Sequence, residues 1–149
     1  MALFSNKQEA NLRSCIRMVE DALRALGHVP EDSRADSPDD LPAWRVQPRG
    51  GARIDVHLGV EEDQNVLRVI ATLAPAPTGA GAAALFRKLL ELNASEVKGV
   101  AFGLVGRDVV LVNERTTIDL DPSEVEDLLR RTERFAAHYA HALAADLAS

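Results

Sequence analysis

At 149 residues and 16.1 kDa the chain has the length of one ordinary domain, and with 46% hydrophobic and 27% charged residues it has the apolar content to build a core, which excludes wholesale disorder and collagen-like repetition. Seventeen Lys and Arg against 23 Asp and Glu give a net charge of −6, so no cationic footprint dominates that would neutralise nucleic-acid phosphates or dock on an anionic membrane. Aromatics are only 4%, which leaves the core to Leu, Val, Ile and Ala, and the single cysteine, Cys15, excludes an intramolecular disulfide and fits a reducing cytoplasm.

After Met1-Ala2-Leu3-Phe4 the chain turns polar and charged, too short an apolar stretch for a secretory signal. Ser5, with Gln8 three residues on, forms a capping-box pair and predicts a first helix from about Asn6 to Leu26. Leu12, Ile16, Val19, Leu23 and Leu26 recur at helical spacing as one apolar stripe, and Gly27 is a stop signal. Glu31 to Pro42 is acidic, contains two prolines and has almost no apolar content. It reads as a solvated, mobile loop, too short to separate two domains.

Strands follow. Trp44 and Val46 alternate with Arg45 and Gln47, and Pro48-Arg49-Gly50-Gly51 makes a turn. Ile54, Val56 and Leu58 alternate with Arg53, Asp55 and His57, the period of a half-buried strand. After a polar turn from Glu61 to Asn65, a third strand carries Leu67, Val69, Ala71 and Leu73, completing an antiparallel meander. Val69 to Phe86 is uncharged over 18 positions, but Pro75, Pro77, Gly79 and Gly81 divide it into strand, loop and helix start, so no membrane span is expected.

A second helix begins near Gly79 to Ala82 and ends near Asn93, with Leu85, Phe86, Leu89, Leu90 and Leu92 on a broad apolar face. Val100, Phe102 and Leu104 lead into a tight turn at Gly106-Arg107, Val109 to Val112 lead out, and a strand-like stretch continues to Ile118 and Leu120. The third helix has the clearest start: Asp121 as N-cap, Pro122 at the first helical position and Glu124 three residues after the cap. Val125, Leu128, Thr132, Phe135, Tyr139 and Leu143 then trace its buried stripe.

The order α-β-β-β-α-β-β-α predicts one α+β domain over residues 1–149, an antiparallel sheet of about five strands with three helices. In the last hairpin Val109 and Leu111 point one way and Val110 and Val112 the other, while Val100, Phe102 and Leu104 alternate with Ala101, Gly103 and Val105. A sheet covered on one side has polar residues on its second face; here both faces are apolar. A second copy of the chain is therefore expected against this hairpin, with Val100, Phe102, Val110 and Val112 as the candidate dimer or partner surface. The Trp44 strand follows a loop, and Trp44 and Val46 mark a candidate edge for strand addition by an extended peptide.

No chemistry-bearing constellation stands out. His138 and His141 lie three apart on the third helix without a third ligand, and a helix end rich in partial negative charge accounts for them. Cys15 beside Ser14 has no general base tied to it, because His28 and His57 belong to a helix-end loop and a strand's polar face. Gly79-Ala80-Gly81 lacks the ending of a phosphate loop, and Asp36, Asp39 and Asp40 lack the spacing of a calcium loop. Arg45, Arg49 and Arg53 read as the wet side of alternating strands, countered by Asp55. No catalytic, cofactor-binding or metal-binding residue is expected, and the chain does not read as an enzyme.

Leu89-Leu90-Glu91-Leu92-Asn93, then Gly99, Phe102 and Leu104, Val109-Val110-Leu111, and Leu120-Asp121-Pro122 opening a long helix form a pattern from about Leu85 to Leu143. With the first helix and the meander it resembles the YbjN-type, type III secretion chaperone-like (Tir chaperone-like) family of bacteria. The resemblance implies a small acidic α+β protein of the cytoplasm. It implies a homodimer without catalysis or cofactor, holding an extended segment of a client protein. The YbjN-like branch implies the alternative, a regulatory domain acting through a folded protein partner. The chain departs from the family pattern in its acidic Glu31 to Pro42 loop and its Gly-Gly turn.

Overall fold

A computed structural model of the protein describes residues 2–37 and 39–148, with side chains from Asn6 onward. Among these residues six strands hydrogen-bond in the order β1-β2-β3-β4-β6-β5 in an antiparallel sheet, accompanied by five helices. In chain order these are α1 (Ala2–Ala25), α2 (Pro30–Ser33), β1 (Arg34–Ala35), β2 (Ala43–Val46), β3 (Arg53–Glu61), β4 (Gln64–Pro75), α3 (Ala82–Ser95), β5 (Ala101–Val105), β6 (Asp108–Thr116), α4 (Pro122–Ala142) and α5 (Ala144–Ala148). The α+β class and the order of the main elements are those expected; α2, β1 and α5 are additions.

The chain gathers into two compact units. The first comprises Met1–Val46, Asp55–Val69 and Glu114–Arg130; the second comprises Gln47–Ile54, Ile70–Asn113 and Arg131–Ser149.

In the first unit α1 starts four residues earlier than expected, so Ser5 lies inside the helix and its side chain lies outside the described residues. Cys15, Val19, Ala22 and Leu23 are buried, while Leu12, Ile16 and Leu26 are half-buried. The stripe is thus centred about one residue away from the expected line. The helix stops as predicted at Gly27, whose φ of +89° lets the His28 N–H reach the Leu23 carbonyl at 2.9 Å and the Gly27 N–H reach that of Arg24 at 3.0 Å. This is the paired end-bond of a Schellman motif.

The stretch read as a solvated loop holds structure: α2 is one helical turn, and β1 pairs antiparallel with β2, Arg34 opposite Trp44 and Ala35 opposite Ala43. Two residues carry no visible alternation, so β1 leaves no periodic signal in the sequence. The β3–β4 turn at Glu62 and Asp63 puts both residues at positive φ, 49° and 63°, the requirement of a type I′ hairpin even without glycine. The expected strand beyond Thr116 is instead a turn. Asp119 takes φ 60°, the Leu120 N–H returns to the Thr117 carbonyl, and Ile118 is left 55% exposed.

Asp121 caps α4 as its sequence signal requires. Its Oδ1 accepts the Glu124 N–H at 2.9 Å, and Glu124 Oε2 accepts the Asp121 N–H at 3.0 Å, closing a reciprocal box. The Ser123 hydroxyl, donating at 2.6 Å, and then the Glu124 amide hold the Asp121 carboxyl below its ordinary range. A depressed folded value means that the stabilisation is present above the unfolded carboxyl's pKa of about 3.9 and is lost as pH falls through the folded one. Asp121→Ala is expected to lower Tm by about 2–5 °C at pH 7, with the gap closing toward pH 3. Scanning calorimetry of both proteins across that range checks it; an unchanged gap in acid would place the effect outside the carboxylate.

In the second unit β5 and β6 form a hairpin in the register Phe102↔Leu111 and Val105↔Asp108. Gly106 opens its two-residue turn at φ +59°, a conformation glycine adopts without strain. Leu85 and Leu89 of α3 are buried, as are Phe102, Val109, Leu111, Ala136, Tyr139 and Leu143. Leu90, expected on the buried face of α3, is 68% exposed. The buried face is narrower than the run of leucines suggests.

Candidate functional site

β5 is the last strand of the sheet order, so one side of its backbone lacks a neighbouring strand. Asn93 of α3 takes that place at one residue. Its Oδ1 accepts the Phe102 N–H at 2.7 Å, and its Nδ2 donates to the Phe102 carbonyl at 3.2 Å. A single side-chain amide thus satisfies both outward backbone groups of Phe102 and fixes α3 along the sheet edge.

Between α3 and β5 lies an open groove of about 230 Å³, lined by Phe86, Leu89, Leu90, Phe102, Gly103 and Leu104. Its lining is apolar, and its volume falls below the about 300–1,000 Å³ of small-molecule sites. It suits side chains of another polypeptide better than a cofactor. On its rim Leu90 is 68% and Leu104 52% exposed, and Val105 nearby is 44% exposed. Leu90 and Leu104 line one groove, so their exposed apolar surface is shared rather than scattered.

Aromatic contacts back the floor of the groove. The Phe102 ring meets Tyr139 edge-on at 5.1 Å, Tyr139 stacks on Phe135 at 6.1 Å, and the Tyr139 hydroxyl donates to Glu96 Oε2 at 3.2 Å. Burial, and then the Glu96 carboxylate, push the Tyr139 phenol up from its ordinary pKa, so the hydroxyl keeps its proton and its bond.

Of the four hairpin residues singled out from sequence, Phe102 lines this groove. Val100 and Phe102 are each 7% exposed, Val110 is 1% exposed and Val112 is half-buried. The most exposed apolar side chains of the hairpin are instead Leu104 and Val105. Strand alternation shows which residues share a face but not which of them the helix leaves uncovered, so Leu90 and Leu104 could not be singled out from the pattern.

The other candidate, the Trp44–Val46 strand, is not the outer strand where it carries Trp44. β1 lies on that side, and Trp44 and Val46 are 0% and 5% exposed. The Arg34 guanidinium sits 4.8 Å above the Trp44 ring, and its Nη2 lies 2.9 Å from Glu20 Oε1. Trp44 Nε1 is buried without a hydrogen-bond partner.

A third feature is polar and was not legible in the sequence. Asn65, 5% exposed, donates to the Gln8 carbonyl at 3.0 Å and to Asn11 Oδ1 at 3.2 Å. Thr117, 3% exposed, donates its N–H to the Asn65 carbonyl at 3.0 Å, and its hydroxyl contacts Asn11 Oδ1. Asn11 Nδ2 closes the circuit on the Thr117 carbonyl at 3.3 Å. The residues are 54 and 52 positions apart, beyond any local motif.

The groups capable of chemistry stand apart from these features. Burial pushes the Cys15 thiol up to about 11, so little thiolate exists at neutral pH. Burial and then Arg68 push His57 down, against the opposing pull of Asp55 and Asp39. Glu61 is held above the ordinary carboxylate range by its hydrogen bond to Glu114 and by that residue's charge. His138 and His141 are both exposed. Among the described residues no group of three or more His, Cys, Asp or Glu side chains is placed to hold a metal ion, and no helix is long and apolar enough to cross a membrane. Alkylation of Cys15 by iodoacetamide at neutral pH is expected to run at least about a hundredfold slower in the native protein than in urea, from its raised pKa alone. Mass spectrometry of the time course reads the ratio; equal rates would mean that the buried face of α1 opens freely.

Residues 13–148 match the model of a family described as T3SS (YopN, CesT) and YbjN peptide-binding chaperone 1. Among curated proteins none matches the sequence. Similar solved structures include the heterodimeric ExoU–SpcU complex of the Pseudomonas aeruginosa type III secretion system. That likeness has a TM-score of 0.57 and 18% identity, over 82% of this chain and 94% of that one. The ExsC–ExsE complex has a TM-score of 0.59 and 18% identity over 85% and 91%. The HopA1–SchA chaperone–effector complex has a TM-score of 0.59 and 13% identity over 89% and 97%. At these identities the likenesses show the fold. The family match spans nearly the whole chain, so the protein belongs to the type III secretion (YopN, CesT) and YbjN peptide-binding chaperone family.

Proposed function

We propose that this protein is a non-enzymatic, homodimeric module of the cytoplasm that holds an extended segment of a client protein. The observation that carries the peptide-holding reading is the match of residues 13–148 to a family of peptide-binding chaperones. The chaperone–effector and ExsC–ExsE complexes among its structural neighbours agree with a protein partner. The homodimer rests on the α3–β5 groove, where Leu90 and Leu104 expose apolar area that a second copy of the chain would cover by two-fold symmetry. Cys15, buried and with its thiol pKa pushed up to about 11, is a poor nucleophile at neutral pH, which supports a role without catalysis.

An immobilised panel of 15-residue peptides of varied sequence, probed with the purified protein, tests the reading. Binding is expected for a subset rich in spaced apolar residues, with competition by the same peptides free in solution. A folded protein that binds none of the panel would overturn it.

A further inference from the structure

We propose that β1 is a resident strap on a peptide-binding edge of the sheet, and that the segment it stands in for is extended and carries a basic residue followed by a small one. The proposal rests on the peptide-holding reading and deepens it.

The edge accepts an antiparallel strand, because β1 already occupies it with Arg34 opposite Trp44 and Ala35 opposite Ala43. The seat beneath Arg34 is made of groups that recognise a cation. The Trp44 ring lies 4.8 Å below the guanidinium, and Glu20 Oε1 lies 2.9 Å from its Nη2. An indole face and a carboxylate together favour arginine or lysine over a neutral side chain. The next position, opposite buried Ala43, is taken by half-buried Ala35, so a small side chain is what the edge already holds there.

The strap fills this edge incompletely, and Arg34 is its main anchor. β2 has four residues and β1 pairs with two of them, so a longer segment gains main-chain bonds that β1 does not make. A solvent-open hollow lined by Asp32, Ser33, Arg34, Ala35, Asp36 and Arg45 runs beside it. Of the ties from α1, Arg24 to Glu31 of α2 at 2.8 Å is an exposed ion pair, with both side chains about half or more exposed, whereas Glu20 of the Glu20–Arg34 pair is half-buried, its side chain 22% exposed. Exposed pairs contribute little and weaken with salt. The strap's advantage is its tether, which supplies a high effective concentration. A partner's apparent affinity is therefore reduced by the fraction of molecules in which the strap is open.

The test uses a fluorescein-labelled peptide copying the strap, Asp-Ser-Arg-Ala-Asp-Ser, and the emission of Trp44, the one tryptophan of the chain. In Arg34→Ala the strap loses its anchor while Glu20 and Trp44 stay in place. The peptide is expected to bind Arg34→Ala at least about tenfold more tightly than the wild type and to shift Trp44 emission. The same peptide with alanine for its arginine is expected to lose that gain. Arg34→Lys, which keeps the cation, should behave as wild type. Glu31→Ala loosens the strap through α2 and leaves Arg34 in place. It should move affinity in the same direction, and it carries the comparison if Arg34→Ala does not fold. Equal affinity of the strap peptide for wild type and both loosened variants, or binding without a change at Trp44, would overturn the strap. If panel peptides still bind those variants, the peptide-holding reading stands without it; if none bind, both fall.

Discussion

Leu104→Glu is expected to convert a dimer of this protein into a folded monomer. Leu104 is 52% exposed on the rim of the α3–β5 groove, so the isolated chain loses little when it is replaced. Across a two-fold interface the change occurs twice. Fully burying an exposed leucine side chain contributes about 1.5–3 kcal/mol, and only about half of Leu104 remains to be covered, so two lost contacts amount to about 1.5–3 kcal/mol. That weakens association about 10–10²-fold before the cost of burying two carboxylates is added. Light scattering at micromolar concentration should read twice 16.1 kDa for the wild type and 16.1 kDa for the variant, with unchanged circular dichroism. Leu90→Glu should act in the same way. Val110→Asp should not: Val110 is 1% exposed, so a charge there attacks the fold itself. A wild type that scatters as a single chain removes the dimer from the account.

Asn65→Ala is expected to be the most destabilising single polar replacement in the first unit. It removes the donors to the Gln8 carbonyl and Asn11 Oδ1 from a residue that is 5% exposed. Losing these two part-buried bonds costs on the order of 1–3 kcal/mol, or about 2–12 °C in Tm for a chain of this size. Thr117→Val should cost less than Asn65→Ala, since the Thr117 N–H bond to the Asn65 carbonyl survives, and Thr117→Ser should cost least. Urea unfolding reads the differences as shifts in midpoint at constant slope. The double change Asn11→Ala with Asn65→Ala should cost less than the sum of the two singles, because both break one circuit. Strict additivity would show that the residues act independently.

The features legible in the sequence were those with local causes. The Asp121 cap, the Gly27 stop, the alternation of Ile54, Val56 and Leu58, and the Gly106 turn each depend on residues within a few positions of one another. The α+β order followed from them. The missed features depend on what arrives from far along the chain. β1 is a strand only because β2 lies beside it. The Asn11–Asn65–Thr117 circuit joins residues more than 50 positions apart, and each alone reads as an ordinary polar residue. The site was half legible. Alternation placed Phe102 on a face that helps form the groove, yet it also pointed to Val110, which the fold buries. Which leucine of Leu89 and Leu90 turns inward depends on where α3 meets β5, and the Asn93–Phe102 clasp sets that position.

Native mass spectrometry of the purified protein, mixed at micromolar concentration with peptides selected from the panel, tests dimer and peptide binding together. It reads subunit count and peptide occupancy in one spectrum. The expected species is two protomers carrying at least one bound peptide, with the peptide-free dimer as its only precursor and the same peptides failing to load a scrambled, charge-matched control. A spectrum of single 16.1 kDa chains without peptide, from protein whose circular dichroism shows it folded, would contradict the claim of a dimer that holds extended clients.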